Sequence, residues 1–567
     1  MKKYTIKNTL VLLTLSCVLA PHSYALIVPT QQEKQISDQQ LIHQQERQKA
    51  MDEVLQGDAP DVHLLPPSQK TDRIEFPTEA LCFPINKVAL INRETLPYLV
   101  PLYPLSSQAE GKCLGGEGIN LLMGELQNRL VAYGYITTRV LAPEQDLATG
   151  TLQLLLIKGT VRNVYYSNDS DTHTKLSTTM PVKQGEILNL RDIEQGLENL
   201  QRFPTMNANM ELIPGDNPGE SDVMITRAQS KYWRVGLSVD DSGTKDTGRH
   251  QGGLTFYLDN PLGLSDGFYV SGGHDLSGES KYGSKNYSFS YSVPFGYWLF
   301  NTSFNGSNYH QTVAGTPDYK YSGRSKSSNV QLSRVIHRNE SQKTTLSYGL
   351  TFKESRNYID DTEIELQHRR TTFWKLGIDH RHYINDITFD IGANYQKGVR
   401  WFGALKAPEE ESGEGTALSE ILSLSASASV PFTLADQRFN YDLSYQGQLA
   451  RNGDLTPQER FSIGSRWTVR GFNGELTLSA DNGWFLRNEL SWITPINNAL
   501  YLGVDTGEVS GANSGYLLGH RLTGGVVGLK GSHFGLYYDG FIGTPLHKPD
   551  GFKTDNVVLG FNLNWSY

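Results

Sequence analysis

Cysteine is scarce: the 567-residue chain has three, and Cys17 falls in an N-terminal stretch that reads as a secretory signal. Lys2, Lys3 and Lys7 come first, an apolar run follows from Leu10 to Leu19, and Ser23-Tyr24-Ala25 makes an A-x-A-like cleavage site. The run is too short to span a bilayer, so residues 1–25 read as a signal peptide cut after Ala25 rather than an anchor. A lipoprotein signal built on Cys17 fits poorly, because Thr14 stands where leucine is usual. Basic surplus is absent as well. Losing the three lysines takes the formal charge from −9 to −12, which sets nucleic-acid binding aside. Beyond residue 25 no apolar run reaches roughly 18 residues, which excludes a transmembrane helix. If the chain spans a membrane it does so as a closed barrel, the other way to satisfy every backbone group in lipid. No G-x-x-x-x-G-K-[ST] or H-E-x-x-H motif occurs, so the chain offers no phosphate cradle for ATP and no zinc-hydrolase helix.

Glycine and tyrosine are abundant, at 55 and 29, a mix that suits strands and turns. Two cysteines remain in the exported chain, Cys82 and Cys113. In an oxidising compartment they suggest one disulfide, worth roughly 3–4 kcal/mol by loop closure, with two buried free thiols as the alternative. Residues 26–56 are rich in glutamine and charge. Thr30 and Glu33 have capping-box spacing, and Ile36, Leu41, Ile42, Met51, Val54 and Leu55 are sparse apolar positions. A helix of ~26 residues, polar on nearly all sides, needs polar surroundings: solvent, or the lumen of a polar-lined barrel. Residues 57–73 read as a linker.

Residues 74–159 have the pattern of a small α+β domain, with Ile119, Leu122, Met123, Leu126 and Leu130 at helical spacing and Thr151 to Ile157 as a buried strand. Residues 160–231 repeat it: a strand from Val161 to Tyr166, a helix on Leu190, Ile193, Leu197 and Leu200, and a strand from Asp222 to Thr226. From about Tyr232 to Tyr567 the period is two. Tyr287, Phe289, Tyr291 and Val293 alternate with serines, and Leu559, Phe561, Leu563, Trp565 and Tyr567 with Gly560, Asn562, Asn564 and Ser566. An aromatic face opposite a Ser/Asn/Gly face, strand after strand, is the apolar-out, polar-in rule of an outer-membrane barrel. Sixteen strands fit, at about 21 residues each with loops, against a spanning need of ~9–11.

One connection stands out. The segment near 454–483 is long for a hairpin loop and carries Val469-Arg470-Gly471-Phe472. Further on, Asp505 alternates with Val504 and Leu502 and so faces the lumen, with Gly503 and Gly507 clearing room on either side. The preceding strand aims Arg487 and Glu489 at the same lumen. An arginine from an inward-folded loop can pair bidentately with Asp505. The plainer reading is one more solvated lumen charge.

Val469-Arg470-Gly471-Phe472 resembles the VRG(F/Y) loop motif of two-partner secretion transporters, relatives of the barrel-assembly proteins. Gly503-Val504-Asp505-Thr506-Gly507 resembles that family's GxDxG strand motif, and Gly134-Tyr135-Ile136-Thr137-Thr138-Arg139-Val140 resembles part of its first POTRA domain. The likeness covers essentially the whole exported chain. It implies an all-β transmembrane barrel of 16 antiparallel strands (232–567), preceded by an N-terminal plug helix (26–56) and two α+β POTRA domains (74–159 and 160–231). It further implies that POTRA domains in the periplasm capture a large unfolded exoprotein (haemolysin, adhesin or contact-dependent toxin) through its N-terminal secretion domain, and that the barrel exports it with Arg470 and Asp505 holding the loop. The expected partners are that exoprotein, outer-membrane lipid, and the barrel-assembly machinery acting on the C-terminal strand ending at Tyr567. No cofactor, metal or nucleic acid is expected. The alternative in the same superfamily is a barrel-assembly insertase, whose best-known bacterial relatives carry more POTRA domains.

An outer-membrane enzyme would need a nucleophile or acid–base set, and none stands out. Gly263-Leu264-Ser265-Asp266-Gly267 fits G-x-S-x-G but lies between two strands and reads as a periplasmic turn. His380 and His382 share a strand face without an evident third ligand. Glu409-Glu410-Glu411 reads as an exposed extracellular loop.

Overall fold

The computed structural model describes residues 30–56, 60–64 and 73–567. The signal peptide and most of the linker expected above lie outside them. Among the described residues no helix is long and apolar enough to cross a membrane. The first helix, α1 (Gln31–Gln56), opens on the capping box: the Thr30 backbone N–H donates to Glu33 Oε2 at 2.6 Å, and the Glu33 N–H donates to Thr30 Oγ1 at 3.3 Å.

Two small α+β units follow. In the first, strand Thr151–Ile157 lies between Lys87–Ile91, parallel to it, and Arg139–Leu141, antiparallel. Helix α2 (Gly116–Ala132) packs Leu122, Leu126 and Leu130 against Leu152, Leu154 and Leu156, all fully buried. Helical spacing thus meets strand alternation in one core. Cys82 and Cys113 form a disulfide beside the strand pair Phe83–Ile85 and Lys112–Leu114. In the second unit, Glu220–Gln229 is central between Thr160–Tyr166 and Met206–Pro214, and α3 (Leu190–Leu200) buries Ile193, Leu197 and Leu200 on it.

The N-cap of α2 is Gly115, which has no capping side chain of its own. Glu79 supplies the acceptor: its carboxylate takes N–H bonds from Gly115 and Gly118 at 2.8 Å and from Glu117 at 3.0 Å. Those bonds, Gly118's first, hold the Glu79 carboxyl below its ordinary value of 4.5. A pKa lowered by folding gives stability above the unfolded value that is lost as the pH falls through the folded one. Glu79→Gln is therefore expected to speed amide exchange across α2 at neutral pH, with the gap from wild type closing below about pH 4. A gap that persists in acid would count against the charge.

The remainder is a closed antiparallel barrel of sixteen strands. They are β1 (Trp233–Asp240), β2 (Gln251–Asp259), β3 (Gly267–Asp275), β4 (Gly283–Phe295), β5 (Trp298–Val313), β6 (Tyr319–Arg338), β7 (Gln342–Ile359) and β8 (Arg369–Ile384). Then come β9 (Ile387–Val399), β10 (Glu420–Leu434), β11 (Gln437–Ala450), β12 (Asn482–Ile493), β13 (Ala499–Ser510), β14 (Arg521–His533), β15 (Leu536–His547) and β16 (Val558–Ser566), which closes on β1. Alternation works as read: on β4, Tyr287 and Phe289 face outward while Ser288 and Ser290 are buried inside. One end carries short turns such as 385–386, 435–436 and 534–535. Ala435, Asp436, Phe534 and Gly535 all take positive φ there, as tight two-residue hairpins require. The other end carries long links, including 400–419 and 451–481. Short turns mark the periplasmic end of an outer-membrane barrel. Both α+β units precede β1, and the second docks on that end, so the POTRA domains stand in the periplasm.

Two readings change. The link 400–419 is no simple exposed acidic loop. Glu409 pairs with Arg369, which also lies 4.0 Å from Asp38 of α1, and Glu410 Oε2 is 2.5 Å from Arg400; Glu411 alone of the three is exposed. Arg369 lies two strands upstream, and Arg400 ten residues before Glu410 in the same link, so neither pairing shows in the acidic run itself. The long connection runs from 451 to 481, slightly earlier than 454–483, because β12 begins at Asn482.

Candidate functional site

The link 451–481 folds into the lumen. It is no open loop: Phe461–Ile463 pairs with Leu478–Ala480, and Ile463, Val469, Phe472 and Leu478 pack with Phe485, Val509 and Leu522 of the wall and Phe552 of the β15–β16 link. Phe472 meets Phe552 edge-on at 5.8 Å. Inside a lumen otherwise lined by polar groups, this apolar cluster fixes where the loop can sit. The motif backbone then lies directly on the wall. A Cβ placed on Gly524 would come 1.8 Å from the Arg470 carbonyl oxygen, so no larger residue fits there, and Gly471 takes φ +97°.

Arg470 reaches Asp505 from that position. Its Nε donates to Oδ2 at 2.7 Å and its Nη2 to Oδ1 at 3.0 Å, a two-pronged bond, and its own backbone N–H donates to Oδ2 at 3.1 Å. Nη1 donates to Glu489 Oε2 at 2.5 Å, and Lys530 Nζ donates to the other Glu489 oxygen at 2.5 Å. Arg487 stands 3.7 Å from Asp505 and donates to the Trp467 carbonyl at 3.3 Å. Register explains the convergence: Arg487 faces Asp505 and Glu489 faces Gly503 across β12–β13. The glycines clear the space. A Cβ on Gly503 would lie 2.6 Å from Arg470 Nη2, and one on Gly507 would lie 3.0 Å from Val469 Cγ2. Asp505 is fully buried, and the Arg470 side chain is 5% exposed.

The nine loop and lumen residues singled out in the sequence thus lie together, Val469 and Phe472 in the apolar cluster and the others at or beside the ion pairs. Others were missed. Lys530 could have been found by extending the alternation along β14, where it shares the inward face with Gly524 and Val526. Tyr501, whose ring lies 5.8 Å from the Arg470 guanidinium, follows from the same rule on β13. Arg466 pairs with Asp241 at 2.5 Å and ties the loop to the barrel between β1 and β2; nothing local announced it.

Helix α1 fills the lumen beside this loop. Its glutamines and serines bond to the wall: Ser307 donates to Gln44 at 2.6 Å, Asn357 to Ser37 at 2.8 Å and Gln40 to Thr244 at 3.3 Å. Arg47 donates to Ser242 at 2.9 Å, Lys49 to Gln446 at 3.1 Å, and Asp52 accepts from Asn305 at 3.2 Å. His43 meets Trp467 edge-on at 5.6 Å, joining helix to loop. Of the two environments open to a helix this polar, the lumen is the one it occupies.

Below the helix, residues 60–64 cross onto α3. The Val62 and Leu64 N–H groups donate to Glu198 at 3.2 Å and Glu194 at 3.0 Å. Arg338 at the end of β6 lies 3.4 Å from Glu194 and 2.8 Å from Glu198, and donates to the Val62 carbonyl at 2.7 Å. The Gly263–Gly267 turn is part of this joint: Lys175 N donates to the Gly263 carbonyl at 2.9 Å, and Arg202 to the Ser265 carbonyl at 3.1 Å. Ser265 is buried against the second POTRA unit, and its turn is a docking point rather than a nucleophile elbow. A cavity of about 1330 Å³ lies between this unit and the lower end of α1, reached by Phe203, Met206, Met51 and Val54.

The comparisons agree with this architecture. Residues 219–531 match the haemolysin secretion/activation protein family ShlB/FhaC/HecB; residues 83–159 match the ShlB-type POTRA domain and 160–214 a POTRA domain. The outer membrane transporter CdiB-2 of Burkholderia pseudomallei (strain 1026b) is 38% identical over 509 residues, 86% of this chain and 87% of that one. The structure of CdiB from Acinetobacter baumannii is 31% identical with a TM-score of 0.81, covering 95% of this chain and 100% of that one. For CdiB from Escherichia coli the identity is 27% and the TM-score 0.83, over 96% of this chain and 100% of that one. The chain belongs to the ShlB/FhaC/HecB family of haemolysin secretion/activation proteins, the outer-membrane transporters of two-partner secretion.

Proposed function

We propose that this chain exports one large exoprotein, of the haemolysin, adhesin or contact-dependent toxin kind, and that α1 and the Arg470 loop are two obstructions it must clear. Relatives named hemolysin transporter, in Proteus mirabilis and Serratia marcescens, support that cargo class. The observation that carries the reading is the double filling of the lumen. A diffusion pore has no use for a 26-residue helix along its axis or an ion-paired loop beside it, whereas a conduit that opens for one client needs both. The POTRA domains capture the unfolded client, in keeping with strand addition at a sheet edge. Arg470, Asp505 and Glu489 lock the loop, Gly503 and Gly507 admit it, and Arg487 and Phe472 brace it. The chain performs no catalysis and hydrolyses no ATP. Assembly into outer-membrane lipid proceeds through β16, just past which Tyr567 donates its N–H to the Val235 carbonyl at 3.0 Å.

A secretion assay tests this. The protein is expressed with the large exoprotein encoded beside its gene, with and without residues 74–231, and the exoprotein is followed in medium and periplasm. Export is expected with the full chain and loss of export without the POTRA domains, with heat-modifiable migration showing that the barrel still folds. Export that survives the deletion would remove the capture step. An exoprotein held in the periplasm by both chains would reject that client and favour insertase activity, read by following other barrels after depletion.

A further inference from the structure

The outward face of β4–β8 changes character near the long-link end. An outer-membrane barrel carries an apolar band ~25 Å tall, about eight residues of strand. On β6 the outward residues from Ile336 back to Ser328 fill that height: Arg334 lies over the Trp298 ring near the short-turn edge, and Leu332 and Val330 are exposed above it. The next outward residues are Lys326 and Arg324. The neighbouring strands turn cationic at the same level. Lys285 of β4 faces Asn308 of β5, which faces Arg324; Arg324 faces Arg356 of β7; Lys326 faces Glu354, which faces Arg370 of β8. Below them lie Phe289, Phe304, Phe352 and Trp374, at the top of the apolar band.

Most of this charge is uncompensated. Glu354 is engaged by Arg356 at 2.7 Å and His368 at 3.3 Å, and Glu363 stands 3.7 Å from Arg356. Lys285, Arg324, Lys326 and Arg370 are all exposed, and among the described residues none has an ion pair. Arg324 stands directly opposite Arg356, which Glu354 and Glu363 already engage. The Arg324 guanidinium lies over the Tyr358 ring at 5.1 Å, which keeps it on the wall instead of in the aqueous loops. Four exposed cations on β4, β6 and β8, held over an apolar floor, call for an amphiphilic anion, with its charge among the guanidinium and ammonium groups and its chains on the aromatic band below.

We infer that this face of β4–β8 binds a phosphorylated lipid of the outer leaflet, its phosphates between Lys285, Arg324, Lys326 and Arg370. The site lies on the outer wall, so it rests on the barrel standing in the outer membrane and not on what the lumen carries. A soluble anion would need no apolar floor, and the long-link end selects the outer leaflet.

The test uses the full chain in neutral detergent, offered hexa-acyl bis-phosphorylated lipid A, its dephosphorylated form, or inorganic phosphate, with retention read by native mass spectrometry. The phosphorylated lipid is expected to be retained. Arg324→Gln with Lys326→Gln should weaken retention roughly 25-fold, at about a fivefold loss per surface cation. Lys285→Gln, on a different strand, should weaken it about fivefold. Arg334→Gln, at the other end of the same outward face, should leave it unchanged. Equal retention of the dephosphorylated lipid would reduce the site to apolar adhesion, and displacement of the lipid by millimolar inorganic phosphate would make it a free-anion site; either overturns the proposal. So would retention indifferent to all three substitutions at Lys285, Arg324 and Lys326.

Discussion

Arg470→Ala is expected to cut export at least roughly tenfold, with Asp505→Ala doing the same and the double variant little worse than either. The magnitude follows from burial. Asp505 is fully buried and takes three bonds from Arg470. Removing the arginine strands that carboxylate with only Arg487, 3.7 Å away, in reach. Breaking one partner of a buried pair costs about 3–5 kcal/mol, a shift of roughly two to nearly four orders of magnitude in how often the loop is held. Arg470→Lys is expected to behave like alanine, since one ammonium cannot span both Asp505 oxygens and Glu489 as the planar guanidinium does. The measurement is exoprotein in the medium together with single-channel conductance for the full cycle. Losses that add would mean that the two residues act separately.

Deleting residues 30–56 behind an intact signal sequence is expected to raise single-channel conductance several-fold while the barrel still folds. A helix is ~10–12 Å across with its side chains, and a sixteen-strand barrel is wide enough to leave an aqueous channel once that cylinder is gone. Folding should survive because α1 contributes few of the apolar contacts; Leu41 and Ile42 are its only buried aliphatic residues. The loop 451–481 remains as a second obstruction. Adding Arg470→Ala to the deletion should therefore raise conductance further. A conductance unmoved by the deletion would mean that the helix does not close the pore.

Much of this was legible locally. Thr30 and Glu33 announced the start of α1, because a capping box is a property of four consecutive residues. The aromatic-out, serine-in alternation of Tyr287 to Val293 announced a membrane wall, because strand geometry puts neighbours on opposite faces. Asp505 between two glycines announced an approach. What was not legible depends on register between distant strands. Glu194 and Glu198 fall between the apolar positions of α3 and carry no local signal of a partner, yet they meet Arg338, more than a hundred residues later, because β6 ends under that helix. Glu409 read as surface charge for the same reason. Glu79 sits outside any helix and caps one that starts more than thirty residues on. No periodicity carries such pairings. The stacked rings of His380 and His382, 6.1 Å apart, were foreseeable from their shared strand face, and His380 Nδ1 is 2.9 Å from Thr344 Oγ1.

The glutamine-rich surface of α1 has a mechanical consequence. Its grip on the wall is a set of amide and hydroxyl contacts, each of which water can replace at a net difference of about 1 kcal/mol. Such a contact is lubricated. As the helix slides, bonds are handed to solvent one at a time and remade further along, with no dry seam to tear. An incoming chain that offers its own backbone groups to Ser307, Asn357 and Thr244 would take over those hands in turn. A closure built this way can yield to the cargo's own binding, with no fuel spent at the membrane.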